Sequence, residues 1–145
     1  MDFYNQIHAE AYAHVKQLMT ELYGEMFETA ENAPRFTVRE GSTMANVLVM
    51  PWGEEFAVVD VRAWVVMGAE LTAELMKYLL LENNKFVLGG FGIDDEGDIF
   101  FAHSLLANDL DKSELRATIN TVKSCADHYD DEIQKRWGGQ RMADR

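Results

Sequence analysis

The sequence predicts an α+β domain, with one antiparallel sheet and helices packed on one of its faces. Three observations carry this. Apolar residues recur at helical spacing in three separated stretches, and alternating β-type runs bounded by turn residues lie between them. The order reads helix, three strands, helix, two strands, helix, which suits antiparallel meanders better than the strict strand-helix alternation of a parallel sheet.

The first helix is expected from a cap at Asp2 to about Phe27, with Phe3, Ile7, Ala11, Val15, Leu18 and Leu22 forming its apolar stripe. Gly24 and the segment Thr29 to Pro34 end it. Arg35 to Glu40 alternates strictly, with Phe36 and Val38 on one side and Arg35, Thr37 and Arg39 on the other, as in a half-buried strand. Gly41-Ser42 suggests a turn into Thr43 to Met50, and Pro51-Trp52-Gly53 is expected to break that strand. Glu55 to Met67, the longest β-type run, then completes a three-strand meander. Its side chains divide into a uniformly apolar face of Ala57, Val59, Val61, Ala63, Val65 and Met67, and a mixed face of Phe56, Val58, Asp60, Arg62, Trp64 and Val66.

Thr72 can cap a second helix with an apolar stripe of Leu75, Met76, Leu79 and Leu80, ended by Asn83-Asn84. Lys85 to Ile93 and Asp98 to Leu106 flank the polar turn Asp94-Asp95-Glu96-Gly97, a hairpin signal. Asp111 and Glu114 form a capping-box pattern before a third helix carrying Leu115, Ile119, Val122, Ala126, Tyr129, Ile133 and Trp137, stopped by Gly138-Gly139. Residues 1–139 are therefore expected to form one domain and 140–145 a flexible polar tail.

With 145 residues the chain can bury a core without staples. Its single cysteine, Cys125, excludes an internal disulfide. The N-terminal stretch has neither a basic leader nor an apolar signal core, so a cytoplasmic location is expected. A formal charge of −12 argues against nucleic acid, which needs clustered Lys and Arg to neutralise phosphates. No membrane partner is expected either, since no apolar run approaches a span.

Catalytic and metal patterns are weak. His8 and His14 are out of register on a helix, and Glu10 with His14 gives only two aligned groups, short of a metal site. Cys125 and His128 could meet at i,i+3 spacing, but no orienting group or oxyanion element accompanies them. Asp127, Asp130, Asp131 and Glu132 splay around a helix and read as a solvated face. Asp94, Asp95, Glu96 and Asp98 lack the spacing and final bidentate Glu of a calcium loop. Gly89, Gly90 and Gly92 fit no phosphate-loop pattern and are better read as marking a bulge or close approach of another backbone. His103 reads as a structural histidine. Catalytic residues, metal and cofactor are accordingly expected to be none. What remains is the mixed strand face, where Phe56 and Trp64 flank Asp60 and Arg62, the anatomy of an interface. An i,i+2 ion pair on one strand is longer than direct contact favours.

Further evidence is a resemblance. EGSTMANVLVMPWG, VVDVRAWVVMGAELTAELMKYLLLENN, FVLGGFGIDDEGDIFFAHSLL and ADHYDDEIQKRWGG together resemble the YbjN-domain family, particularly its cyanobacterial branch, over roughly Pro34 to Gly139. That family is similar in fold to type III secretion chaperones, small acidic proteins that commonly form homodimers and hold extended segments of clients. Some members carry the label of sensory transduction regulators. The resemblance implies a non-enzymatic chaperone or adaptor, a protein or peptide client and a homodimer. It supplies no site residues, so Phe56, Val58, Asp60, Arg62, Trp64 and Val66 stand as the expected client or dimer surface on the strand-face argument alone. The alternative is a small-ligand sensor with a pocket between sheet and helices lined by Trp52, Tyr78 or His103.

Overall fold

The computed structural model describes residues 1–40 and 43–144. Helix α1 (Gln6–Tyr23) leads into β1 (Phe27–Thr29), β2 (Arg35–Glu40), β3 (Thr43–Trp52) and β4 (Phe56–Met67). Helix α2 (Ala73–Asn83) follows, then the hairpin β5 (Gly90–Ile93) and β6 (Ile99–Leu106), α3 (Lys112–Trp137), β7 (Gln140–Arg141) and a 3-10 turn at Met142–Asp144. The strands form one sheet in the order β1-β2-β3-β4-β6-β5, with β7 pairing to β4 off this path, and every pairing is antiparallel. The α+β class and the meander β2-β3-β4 are as the sequence predicts. The turn expected at Gly41-Ser42 lies outside the described residues.

The apolar face of β4 drives the layering. Ala57, Val59, Val61, Ala63 and Val65 join Val47, Val49, Phe101 and the inward stripes of α1 and α3 in one core. Val15 and Met19 supply the α1 side, and Leu115, Ile119, Val122 and Ile133 the α3 side, at the four- and three-residue steps that keep side chains on one helical face. Asp111 and Glu114 form the reciprocal capping box, and Thr72 accepts the Leu75 N–H at the start of α2.

The structure departs from the sequence reading at several places, among them the fifth strand, which begins at Gly90 and not at Lys85. Helix α1 is capped by Asn5, whose Oδ1 accepts the His8 N–H at 2.8 Å, and not by Asp2. Residues before it fold back on the β3–β4 turn, where the Tyr4 hydroxyl donates to Glu54 at 2.7 Å. Pro51 does not break β3: it sits near the strand's end opposite Ala57, and the turn falls after Trp52. Phe27–Thr29 forms a short edge strand that three residues are too few to announce. Finally, the tail beyond Gly139 adds β7 to β4 through Val66 and Met67, held by Arg141 against Asp131 of α3 and Asp144. Gly139 makes this possible: at φ +90° an added Cβ would lie 2.6 Å from the Met67 carbonyl oxygen.

Candidate functional site

With α1 and α3 on one face, the opposite face of β2, β3, β4 and β6 has no layer over it. Register places Arg62 between Asn46 and Ala102, Asp60 between Leu48 and Ser104, and Val58 between Met50 and Leu106. Phe56 pairs with Trp52, and Trp64 with Phe100. From β2, Arg35 and Thr37 extend this face alongside Leu48 and Asn46.

Its centre is fixed by polar contacts. Arg62 Nε donates to Asp60 Oδ2 at 3.0 Å, and the Ser104 hydroxyl to Asp60 Oδ1 at 3.1 Å. The Arg side chain thus spans an i,i+2 gap that is longer than direct contact on one strand favours. Its guanidinium carbon also lies 3.8 Å from the Phe100 ring centroid, a cation–π contact. Gly92 makes room for that ring, since a Cβ there would collide with Phe100. Asp60 is only 6% exposed, so its carboxylate is spent on Arg62 and Ser104 and serves as scaffold rather than contact.

The two ends of the face differ. At one, Trp52 (60% exposed) and Phe56 (43% exposed) lie 6.1 Å apart and adjoin Val58 and Leu106, with a shallow groove of about 340 Å³ over Trp52, Val58, Ser104 and Leu106. At the other, Trp64 Nε1 donates to Asp94 Oδ2 at 2.9 Å. This bond, with the Asp98 and Glu96 backbone N–H groups on the other oxygen, holds the Asp94 carboxyl below its usual pKa range. Beside Trp64 opens a groove of about 450 Å³ floored by Met44, Met67 and Met142 and rimmed by Asp94, Asp95, Glu96 and Asp98.

Val66 does not belong to this face. A bulge between Trp64 and Val66 shifts the register, so Val66 pairs with Ile99, turns into the core and is 0% exposed. Phe56, Val58, Arg62 and Trp64 remain at the surface, with Asp60 beneath them. Sequence reasoning missed the methionines and weighed the acidic turn only as a calcium loop, without its convergence with them from β3, β4, the β5–β6 turn and the chain end.

The other candidates lie elsewhere. Burial pushes the Cys125 thiol up, the opposite of an activated nucleophile, and His128 packs edge-on against Tyr129. His8 is a buried structural histidine: its Nε2 bonds the Val49 carbonyl at 2.9 Å, and its Nδ1 accepts the Tyr4 N–H. His14 bonds the Leu110 carbonyl. Oxygens of Asp94, Glu96 and Asp98 come within 4.8 Å of one another, but Asp98 Oδ1 already accepts the Gly68 N–H and both Asp94 oxygens accept the bonds given above, as hairpin-turn residues do. Trp52, Tyr78 and His103 do not gather around one cavity. Trp52 is on the open face, Tyr78 packs against Trp137 between α2 and α3, and register puts His103 beside Val61 on the helix-covered side. No helix among the described residues is long and apolar enough to cross a membrane.

An open antiparallel face over a three-helix layer can hold a chain segment without any chemistry. Residues 9–145 match the family model for T3SS (YopN, CesT) and YbjN peptide-binding chaperone 1, TY-Chap1. The chain belongs to this family. TY-Chap1 membership agrees with the resemblance read from the sequence, and the family is one of peptide-binding chaperones. No protein of curated function matches the chain. In fold, this TY-Chap1 member is similar to a chain of the ExsC-ExsE complex, with TM-score 0.66 and 17% identity over 84% of this chain and 95% of that one. It is also similar to a chain of the HopA1-SchA chaperone-effector complex, with TM-score 0.63 and 8% identity over 84% and 97% of the two chains. A third similar fold is the Yersinia pestis type III secretion chaperone SycH in complex with a stable fragment of YscM2, with TM-score 0.54 and 20% identity over 81% and 98%.

Proposed function

We propose that this chain is a non-enzymatic cytoplasmic chaperone or adaptor that holds a client segment across the uncovered sheet face and acts as a homodimer. The observation that carries the reading is that face itself. Its middle is locked by the Asp60, Arg62, Ser104 and Phe100 contacts, its ends offer apolar and aromatic groups, and the chain's own helices all lie on the other side. A fixed polar centre between exposed aromatic anchors is how interfaces obtain both orientation and affinity. The chaperone-effector and chaperone-fragment complexes among the similar folds support a protein client.

A second apolar surface is available for the second copy. Leu80 is 68% exposed and Leu81 lies beside it on α2, with Val87 and Leu88 in the loop that follows. Burying such a patch against its own image suits a two-fold interface. Because the client face and this patch are different surfaces, one assembly can use both.

The test is affinity capture from native extract with the wild-type chain and with Phe56→Ala and Trp64→Ala variants. Client recovery should fall sharply in the variants while circular dichroism and oligomeric mass stay unchanged. Equal recovery of the same partners from folded variants would show that this face is not the binding surface. Separately, Leu80→Lys with Leu81→Lys should convert the dimer to monomer in sedimentation without touching the client face.

A further inference from the structure

The groove beside Trp64 has a chemistry that the rest of the face lacks. Its floor is Met44, Met67 and Met142 against the Trp64 ring, and its rim carries Asp95 and Glu96, both exposed. Among the described residues, no Lys or Arg pairs with either carboxylate. Methionines and an indole accept a flexible aliphatic stem, and carboxylates at the mouth accept the cation at its tip. The groove at the opposite end of the face, over Trp52, Val58 and Leu106, is mainly apolar, and the carboxylates nearest in sequence, Glu54 and Glu55, belong to the β3–β4 turn and do not line it.

Building on the chaperone reading, we propose that the client segment is a basic-ended one: an apolar side chain sits at Trp52 and Phe56, and a Lys or Arg side chain enters the groove at Trp64. Phe56 and Trp64 are eight positions apart on β4, about 26 Å along an extended strand. An extended client therefore carries its apolar anchor and its cation about eight residues apart. The acidic chain, with net charge −12, attracts such a segment at long range, and the groove decides where the cation lands.

The test uses the full-length chain and dye-labelled Thr/Ser-rich peptides carrying two Leu near one end and two Lys eight positions on, the order-reversed peptide, and the same pair with Glu for Lys. Fluorescence anisotropy should show one Lys peptide binding at least about tenfold tighter than its Glu counterpart. Asp95→Lys with Glu96→Lys should abolish that preference. Glu21→Lys with Glu25→Lys, the same change in net charge on α1 and in the segment after it, should leave most of it. The proposal is overturned if the Glu peptide binds as tightly, or if both double variants lose the preference equally, which would make it a property of net charge alone. Equal binding of both peptides that Phe56→Ala weakens would leave the chaperone reading standing and remove only the basic end. If no peptide binds while native clients are still captured through Trp64, the basic-ended segment is likewise excluded and the chaperone reading again survives.

Discussion

Trp64 has two roles, because its indole N–H fixes the Asp94 turn while its ring floors the groove. Trp64→Phe keeps an aromatic ring, smaller than the indole, and removes the donor that contributes most to lowering the Asp94 pKa. The Asp94 carboxyl should then titrate at higher pH in a carboxyl-carbon NMR titration than it does in the wild type. The sign follows from linkage. A carboxyl whose folded pKa is depressed stabilises the fold above its unfolded pKa, and that contribution is lost as pH falls through the folded value. The β5–β6 hairpin should therefore loosen at higher pH in the variant than in the wild type. Two positions further along, Val66 gives the opposite lesson. Val66→Asp should cost about 3 kcal/mol or more in denaturant unfolding, because it buries an unpaired carboxylate, whereas Val58→Asp on the half-exposed face should cost far less. Strict alternation put both valines on one surface. The bulge that separates them depends on how β4 pairs with β6 and β7, which no local pattern in the strand reveals.

Among the elements, what is encoded locally was legible and what is encoded by pairing was not. The caps at Thr72 and Asp111 and the α3 stripe need only neighbouring residues, and they stand where the sequence puts them. The short strands β1 and β7 exist because a longer strand offers them backbone partners, and three or two residues carry no periodicity of their own. The β5 edge shows a further device. Asn83, at the end of α2, accepts the Phe91 N–H at 2.7 Å and donates to the Phe91 carbonyl at 3.3 Å, occupying the groups that another strand would use. Asn83→Ala should speed Phe91 amide exchange, promote edge-to-edge association at high concentration and cost about 1–2 kcal/mol. Unchanged exchange would mean that the clamp does not protect this edge. Gly139→Ala should likewise undock β7, since its Cβ meets the Met67 carbonyl, and would be seen as faster exchange at the paired Met67 and Gln140 region.

The whole molecule is one-sided, and its energetics should be one-sided too. Val59→Ala removes core volume beneath α1 and α3 and should cost about 2 kcal/mol, while Trp52→Ala, a larger deletion, should change stability by only about 0.5 kcal/mol because its ring is already in water. If Trp52→Ala costs as much as Val59→Ala in urea unfolding, the open face is part of the core after all. At this scale the sheet, its helical cover and the placement of Phe56, Val58, Arg62 and Trp64 on the uncovered side were readable from alternation and helical spacing. The groove beside Trp64 was not, since Met44, Met67, Met142 and Glu96 are scattered over about a hundred positions and only the fold brings them together. The way the chain ends are tied down has a practical side. Tyr4 is anchored at the turn before Phe56, and Arg141 beside Val66, so the two ends stand at opposite ends of β4, about 40 Å apart by strand rise. An affinity handle fused to either end would hang over one mouth of the face it is meant to report on. Immobilisation through the outward side of the helical layer instead attaches the chain on the side away from this face.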